Sequence, residues 1–110
     1  MERERTMANK EKIRLLKARP PMPCCLVDYY HDVLGKVGDV KCDYADYMIS
    51  KPVNCDEELK RIPFANYDLC CALLTMLFRE DHFSLYGSFD HRYEKGDVQR
   101  IIDRMVELLI

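Results

Sequence analysis

The stretch Tyr67-Asp68-Leu69-Cys70-Cys71-Ala72-Leu73-Leu74-Thr75-Met76-Leu77-Phe78-Arg79-Glu80 decides the fold. Leu69, Cys70, Leu73, Leu74, Met76, Leu77 and Phe78 leave almost no polar side on a helix. A helix apolar nearly all round belongs in the middle of a core, with other elements packed about it. Asn66 stands where a side-chain oxygen would cap the first turn. No apolar run in the chain approaches the roughly 18 residues that a membrane span requires.

Reading outward toward the C-terminus, the polar run Arg79-Glu80-Asp81-His82 and the following Gly87 predict a turn after the 67–80 helix. Ser84 to Lys95 then predicts a helix, with Phe89 and Tyr93 on one face at i, i+4 and Gly96 suited to a left-handed end. Asp97 is the expected cap of a last helix, in which Val98, Ile101, Ile102, Met105, Leu108 and Leu109 form an apolar stripe. Arg100, Asp103, Arg104 and Glu107 are expected to face water.

Reading outward toward the N-terminus, Asp56 to Arg61 predicts a helical turn stopped by Pro63. Asp43 to Ile49 reads as two helical turns capped by Asp43, although Val40 to Tyr44 also suits a short extended piece. Between Cys24 and Val37, residues Leu26, Val27, Tyr30, Val33, Leu34 and Val37 fall on one helical face, and Gly35 and Gly38 mark its end. Ala8 to Ala18 predicts a short helix whose Lys10, Arg14 and Lys17 form a basic stripe, ended by Pro20, Pro21 and Pro23. Strand alternation is nowhere sustained and no internal repeat is visible. The expectation is all-α: a compact bundle of five to seven short helices around the central apolar one.

The 110 residues fit one domain, with residues 1–19 as a basic N-terminal arm or short helix and 20–110 as a single helical body. Charge divides along the same line. Residues 1–19 carry seven basic and three acidic groups, +4, and residues 20–110 carry ten basic and sixteen acidic groups, −6, which sum to the net −2. Residues 1–6 show no structural pattern, so Met7 is a second candidate start. The charged N-terminus has no apolar segment behind it and does not read as a secretory signal, so the expected location is the cytoplasm. In that compartment the six cysteines, Cys24, Cys25, Cys42, Cys55, Cys70 and Cys71, read mostly as reduced, buried, small apolar residues.

The C-terminal half carries a further pattern: Leu73-Leu74-Thr75, three residues on to Arg79, then His82-Phe83, Gly87, Glu94-Lys95-Gly96 and an amphipathic helix reaching Arg104. This resembles a family of small bacterial proteins known only as a domain of unknown function. An extended form of the resemblance runs from Leu26 to Ile110, with Tyr44 and Tyr47 where relatives tend to carry tryptophan, a residue this chain lacks. The Phe83-to-Gly87 spacing is also about a residue longer than in that family. The resemblance implies a helical fold and no particular activity.

Chemistry-bearing patterns are few. Zinc sites favour ligands spaced as C-x₂₋₄-C or H-x₃₋₅-H, whereas the cysteine pairs here are adjacent. Cys70 and Cys71 lie in an apolar helix that disfavours the thiolate. No G-x-S-x-G elbow, S-x-x-K or phosphate-cradling glycine loop is present. We therefore expect a protein that is not an enzyme and takes no cofactor or metal.

Two surfaces are candidates for binding a protein partner. One is the predicted turn with Arg79, Asp81, His82 and Tyr86, with His91 and Arg92 farther on, since arginine and tyrosine are residue types that anchor interfaces. Its structural alternative is that Arg79 holds a neighbouring carboxylate while His82 caps carbonyls. The other is the acidic stretch 28–58, eight acids and three bases interleaved with Tyr29, Tyr44 and Tyr47, which suits a basic partner or a plain solvated face. The expected function is that of a small accessory factor, for instance a phage or mobile-element inhibitor of a host nuclease or defence protein. The alternative is a nucleic-acid-associated regulator using Lys10, Arg14 and Lys17 on phosphates, against which the acidic body weighs. Both monomer and homodimer are compatible with the sequence.

Overall fold

A computed structural model describes residues 8–20, 25–83 and 87–110. Among the described residues it is all-α: α1 (Asn9–Lys17), α2 (Leu26–Val37), a 3₁₀ turn (Tyr44–Tyr47), α3 (Cys55–Leu59), a second 3₁₀ turn (Ile62–Phe64), α4 (Tyr67–Phe83), α5 (Ser88–Lys95) and α6 (Asp97–Leu109). The apolar helix occupies the centre. All residues from Cys70 to Phe78 on α4 are buried, and α2, α3, α5, α6 and the Tyr44–Tyr47 turn all pack on it. Each buried leucine or phenylalanine here stabilises the fold by about 1.5–3 kcal/mol relative to exposure, so α4 is the principal source of cohesion.

The basic segment at the N-terminus is a helix docked on this body. Leu16 of α1 is buried, α1 packs on α6 and α2, and Asn9 Nδ2 donates to the Leu109 carbonyl at 3.3 Å. Between α2, α4 and α5 lies an aromatic cluster. Tyr30 meets Phe89 at 6.0 Å and Tyr93 at 5.9 Å, and Phe78 meets Phe89 at 5.4 Å between ring centres.

Polar groups pin the irregular segments. The Tyr67 hydroxyl donates to the Val37 carbonyl at 2.7 Å, beside Gly38, where an added Cβ would stand 2.7 Å from Cys71 Sγ. Thr75 Oγ1 accepts from the Lys41 amide at 3.0 Å and donates to the Cys71 carbonyl at 2.8 Å. The Glu58 carboxylate is fully buried; it accepts from the Ile49 and Ser50 amides, the Ser50 hydroxyl and Arg61. Burial alone would raise its pKa, but these donors outweigh burial and hold the carboxyl below its ordinary value.

Several boundaries differ from the sequence expectation. The run Arg79-Glu80-Asp81-His82 is not a turn but the last part of α4, which continues to Phe83. Its polarity reflects emergence of the helix end into water, and none of these residues breaks a helix. α5 starts at Ser88, with Gly87 at a left-handed φ of 94° in front of it; Ser84, the expected start of this helix, lies outside the described residues. Asp97 is the first residue of α6 and not its cap; Gly96 takes the flanking position, also at φ 94°. α2 begins at Leu26, after Cys25 at φ 61°, and Cys24 lies outside the described residues. Asp43 provides no side-chain cap to its 3₁₀ turn. Asn54 caps α3, accepting from the Glu57 amide at 3.0 Å, and Asn66 accepts from the Leu69 amide at 2.8 Å. Arg104, expected in water, donates through Nε to the Ala65 carbonyl at 2.9 Å.

Candidate functional site

The exposed end of α4 separates two hollows. The larger is an open groove of about 490 Å³ between α4, the Val53–Asp56 segment and Tyr44. The smaller, about 290 Å³, lies toward α2 and includes His31, Thr75, Phe78, Asp81 and His82. Arg79 lines both. Met76, Arg79, Glu80 and Phe83 reach the groove because positions three and four apart share a helix face.

An ion-pair network centred on Arg92 lines part of the groove. Arg92 is itself buried. Its guanidinium grips Glu80 with two bonds, Nε to Oε1 at 3.0 Å and Nη2 to Oε2 at 2.8 Å. Nη1 reaches Asp56 at 2.6 Å and Asp97 at 3.0 Å. Asp97 also accepts from Arg100 at 2.6 Å. One side chain of α5 thus ties α3, α4 and α6 together. Hydrogen bonding to Arg92 lowers the pKa of Asp56 and of Glu80. For Asp97, burial pushes upward, but Arg92 and Arg100 prevail and the net direction is down. The carboxylates in turn raise the pKa of Arg92, Glu80 most strongly.

The thiol facing this network is held in its protonated form. Burial and the Glu80 carboxylate push Cys55 up to about 12, and burial does the same to Cys70. Both are protonated at neutral pH. Among the described residues no group of three or more His, Cys, Asp or Glu side chains is placed to hold a metal ion.

The candidates from the sequence take distinct positions. Arg79 is partly buried and has no carboxylate within ion-pair distance among the described residues. Asp81 is a structural residue: its Oδ1 accepts from the Phe89 amide at 2.9 Å, holding the first turn of α5. His82 is exposed, with its ring edge-on to Phe83 at 4.8 Å. Tyr86 lies outside the described residues. Tyr44 lines the groove opposite Arg79, so two candidates 35 positions apart in the chain meet at one site. Tyr47 sits elsewhere, with the Lys41 ammonium 5.8 Å from its ring centre and its carbonyl held by Arg61 at 2.8 Å. Lys10, Arg14 and Lys17 are exposed on α1, and Arg14 pairs with Glu11 of the same helix.

Two features were not foreseen from the sequence. Arg92 was noted only as a neighbour of the supposed turn, because its carboxylate partners lie 36, 12 and 5 positions away. Phe83 enters the sequence reading only through the His82-Phe83 pattern; the continuation of α4 leaves it 77% exposed. No protein-family model, curated protein or solved structure matches the chain.

Proposed function

We propose that this protein acts by docking on a larger protein, through the face of α4 that carries Arg79 and Phe83. The observation that carries the reading is an exposed phenylalanine one helical turn from a guanidinium that has no ion-pair partner among the described residues, both on the wall of an open groove. A solvated aromatic loses apolar stabilisation that a partner would restore, and aromatic and arginine side chains are those that dominate interface energetics. Val53, 38% exposed on the facing segment, extends the apolar lip. The protonated thiol of Cys55 in the groove supports binding rather than covalent catalysis as the role of this face.

The acidic body suits a partner that is basic overall. A phage or mobile-element inhibitor of a host nuclease or defence protein is one concrete form of the reading. The free thiols of Cys42, Cys55, Cys70 and Cys71 suit a reducing cytoplasm. No helix among the described residues is long and apolar enough to cross a membrane.

The test is affinity purification from the native host with the wild-type chain and with an Arg79→Ser/Phe83→Ser double variant, followed by reconstitution with the purified partner. The expected outcome is a stoichiometric complex with the wild type and at least tenfold weaker binding by the variant. Failure to recover any partner that reconstitutes a complex would overturn the reading.

A further inference from the structure

We propose that the groove beside α4 is a peptide-binding site, recognising a partner segment that presents a single carboxylate next to a bulky apolar side chain. The inference rests on the docking reading above and specifies what the partner offers there.

Charge decides the polar half of the recognition. Among the described residues, the arginines without a carboxylate in ion-pair range are Arg19 and Arg79; Arg14, Arg61, Arg92, Arg100 and Arg104 each have one. Arg19 is exposed on the chain leaving α1, whereas Arg79 is partly buried on the groove wall. The groove's two carboxylates, Asp56 and Glu80, are both engaged by Arg92. Arg79 is therefore the one charged group lining the groove with no opposite charge in ion-pair range among the described residues, and it carries a planar fork of donors whose geometry matches a carboxylate. A polyanion such as nucleic acid would bring many negative charges against a body that is itself −6 over residues 20–110. A single carboxylate brings far less of that repulsion and meets a guanidinium whose donors are unpaired among the described residues.

The apolar half follows from position. Met76, Arg79 and Phe83 recur at three- and four-residue spacing on α4, so the guanidinium lies between a buried methionine and an exposed phenylalanine. Val53 and Tyr44 form the opposite wall. A volume of about 490 Å³ accommodates one or two side chains of a bound segment. An aromatic or leucine side chain packed on Phe83 and Val53 would shield the Arg79–carboxylate pair from water and so strengthen it.

The experiment is selection of a displayed random heptapeptide library on the immobilised full-length protein, with parallel selections on Arg79→Gln and Phe83→Ser. Circular dichroism and thermal melts establish that both variants are folded. The expected result is enrichment of peptides with Asp or Glu within two or three positions of Phe, Trp or Leu. A synthetic peptide from that set should bind at least tenfold more weakly when its acid is replaced by the amide, and equally weakly to Arg79→Gln. No enrichment, enrichment of basic or purely apolar peptides, or equal enrichment on Arg79→Gln would overturn the proposal. The broader docking reading stands or falls separately. A reconstituted partner complex retained by Arg79→Gln but lost with Phe83→Ser would overturn the carboxylate site and leave docking intact, whereas absence of any partner removes both.

Discussion

Arg79 and Arg92 are the same residue type 13 positions apart, and their surroundings give them opposite roles. Arg92 is buried among three carboxylates from three other elements; Asp56 reaches water, but losing Arg92 strands the charge of buried Asp97 and of largely buried Glu80. Among the described residues Arg79 has no such partner to strand. Arg79→Gln should change unfolding free energy by less than about 0.5 kcal/mol, whereas Arg92→Met should destabilise by about 3–5 kcal/mol. Urea denaturation of both variants at neutral pH provides the comparison. A large loss for Arg79→Gln would indicate a structural role for that side chain, the alternative left open by the sequence. The type of each residue was legible in the chain. The difference between them was not, because it depends on which carboxylates the fold delivers to each guanidinium.

Among the elements, glycines show how identical residues acquire different meaning. Gly35 and Gly38 both read as markers of the end of α2. Gly35 lies inside that helix, exposed, with nothing near the position of a Cβ. Gly96 joins α5 to α6 at φ 94°, a conformation that disfavours side chains even though space is open. Gly35→Ala should therefore stabilise the protein by about 0.5–1 kcal/mol, and Gly96→Ala should destabilise it by about 1–2 kcal/mol. Thermal melts with shifts of opposite sign are the expected outcome; a shift of the same sign in both would contradict these backbone assignments. Element identity was readable from the periodicity of α2, α4 and α6, since one apolar face must be buried in each. Element ends were less so. The extension of α4 from Glu80 to Phe83 places Arg79 and Phe83 on a rigid helix rather than a turn, and polar residues at a helix end look the same in sequence as polar residues in a turn.

For the whole molecule, the Arg92 network makes stability a function of pH. Asp56, Glu80, Asp97 and the separately held Glu58 all titrate below their ordinary values in the folded protein. The unfolded chain binds protons at these groups first as pH falls. Their contribution is thus complete above the unfolded carboxylate range, near pH 4, and declines as pH drops through that range toward the folded values. The urea midpoint should fall steeply from about pH 5 to about pH 3, and Arg92→Met should flatten that limb because Asp56, Glu80 and Asp97 lose their common cation. An acid limb equally steep in the variant would show that other groups carry it.

The sequence by itself determined the helical class, the central place of the 67–80 segment and the basic α1 beside an acidic body. These follow from hydrophobic periodicity and composition, which act along the chain and can be read there. Only the tertiary structure decided that Tyr44 joins Arg79 and Phe83 around one groove, that Asp81 is occupied in holding α5, and that Arg92 rather than Arg79 is the buried ionic centre. The physical reason is that ion pairing and groove formation depend on distances across the fold, between residues that local periodicity leaves unrelated.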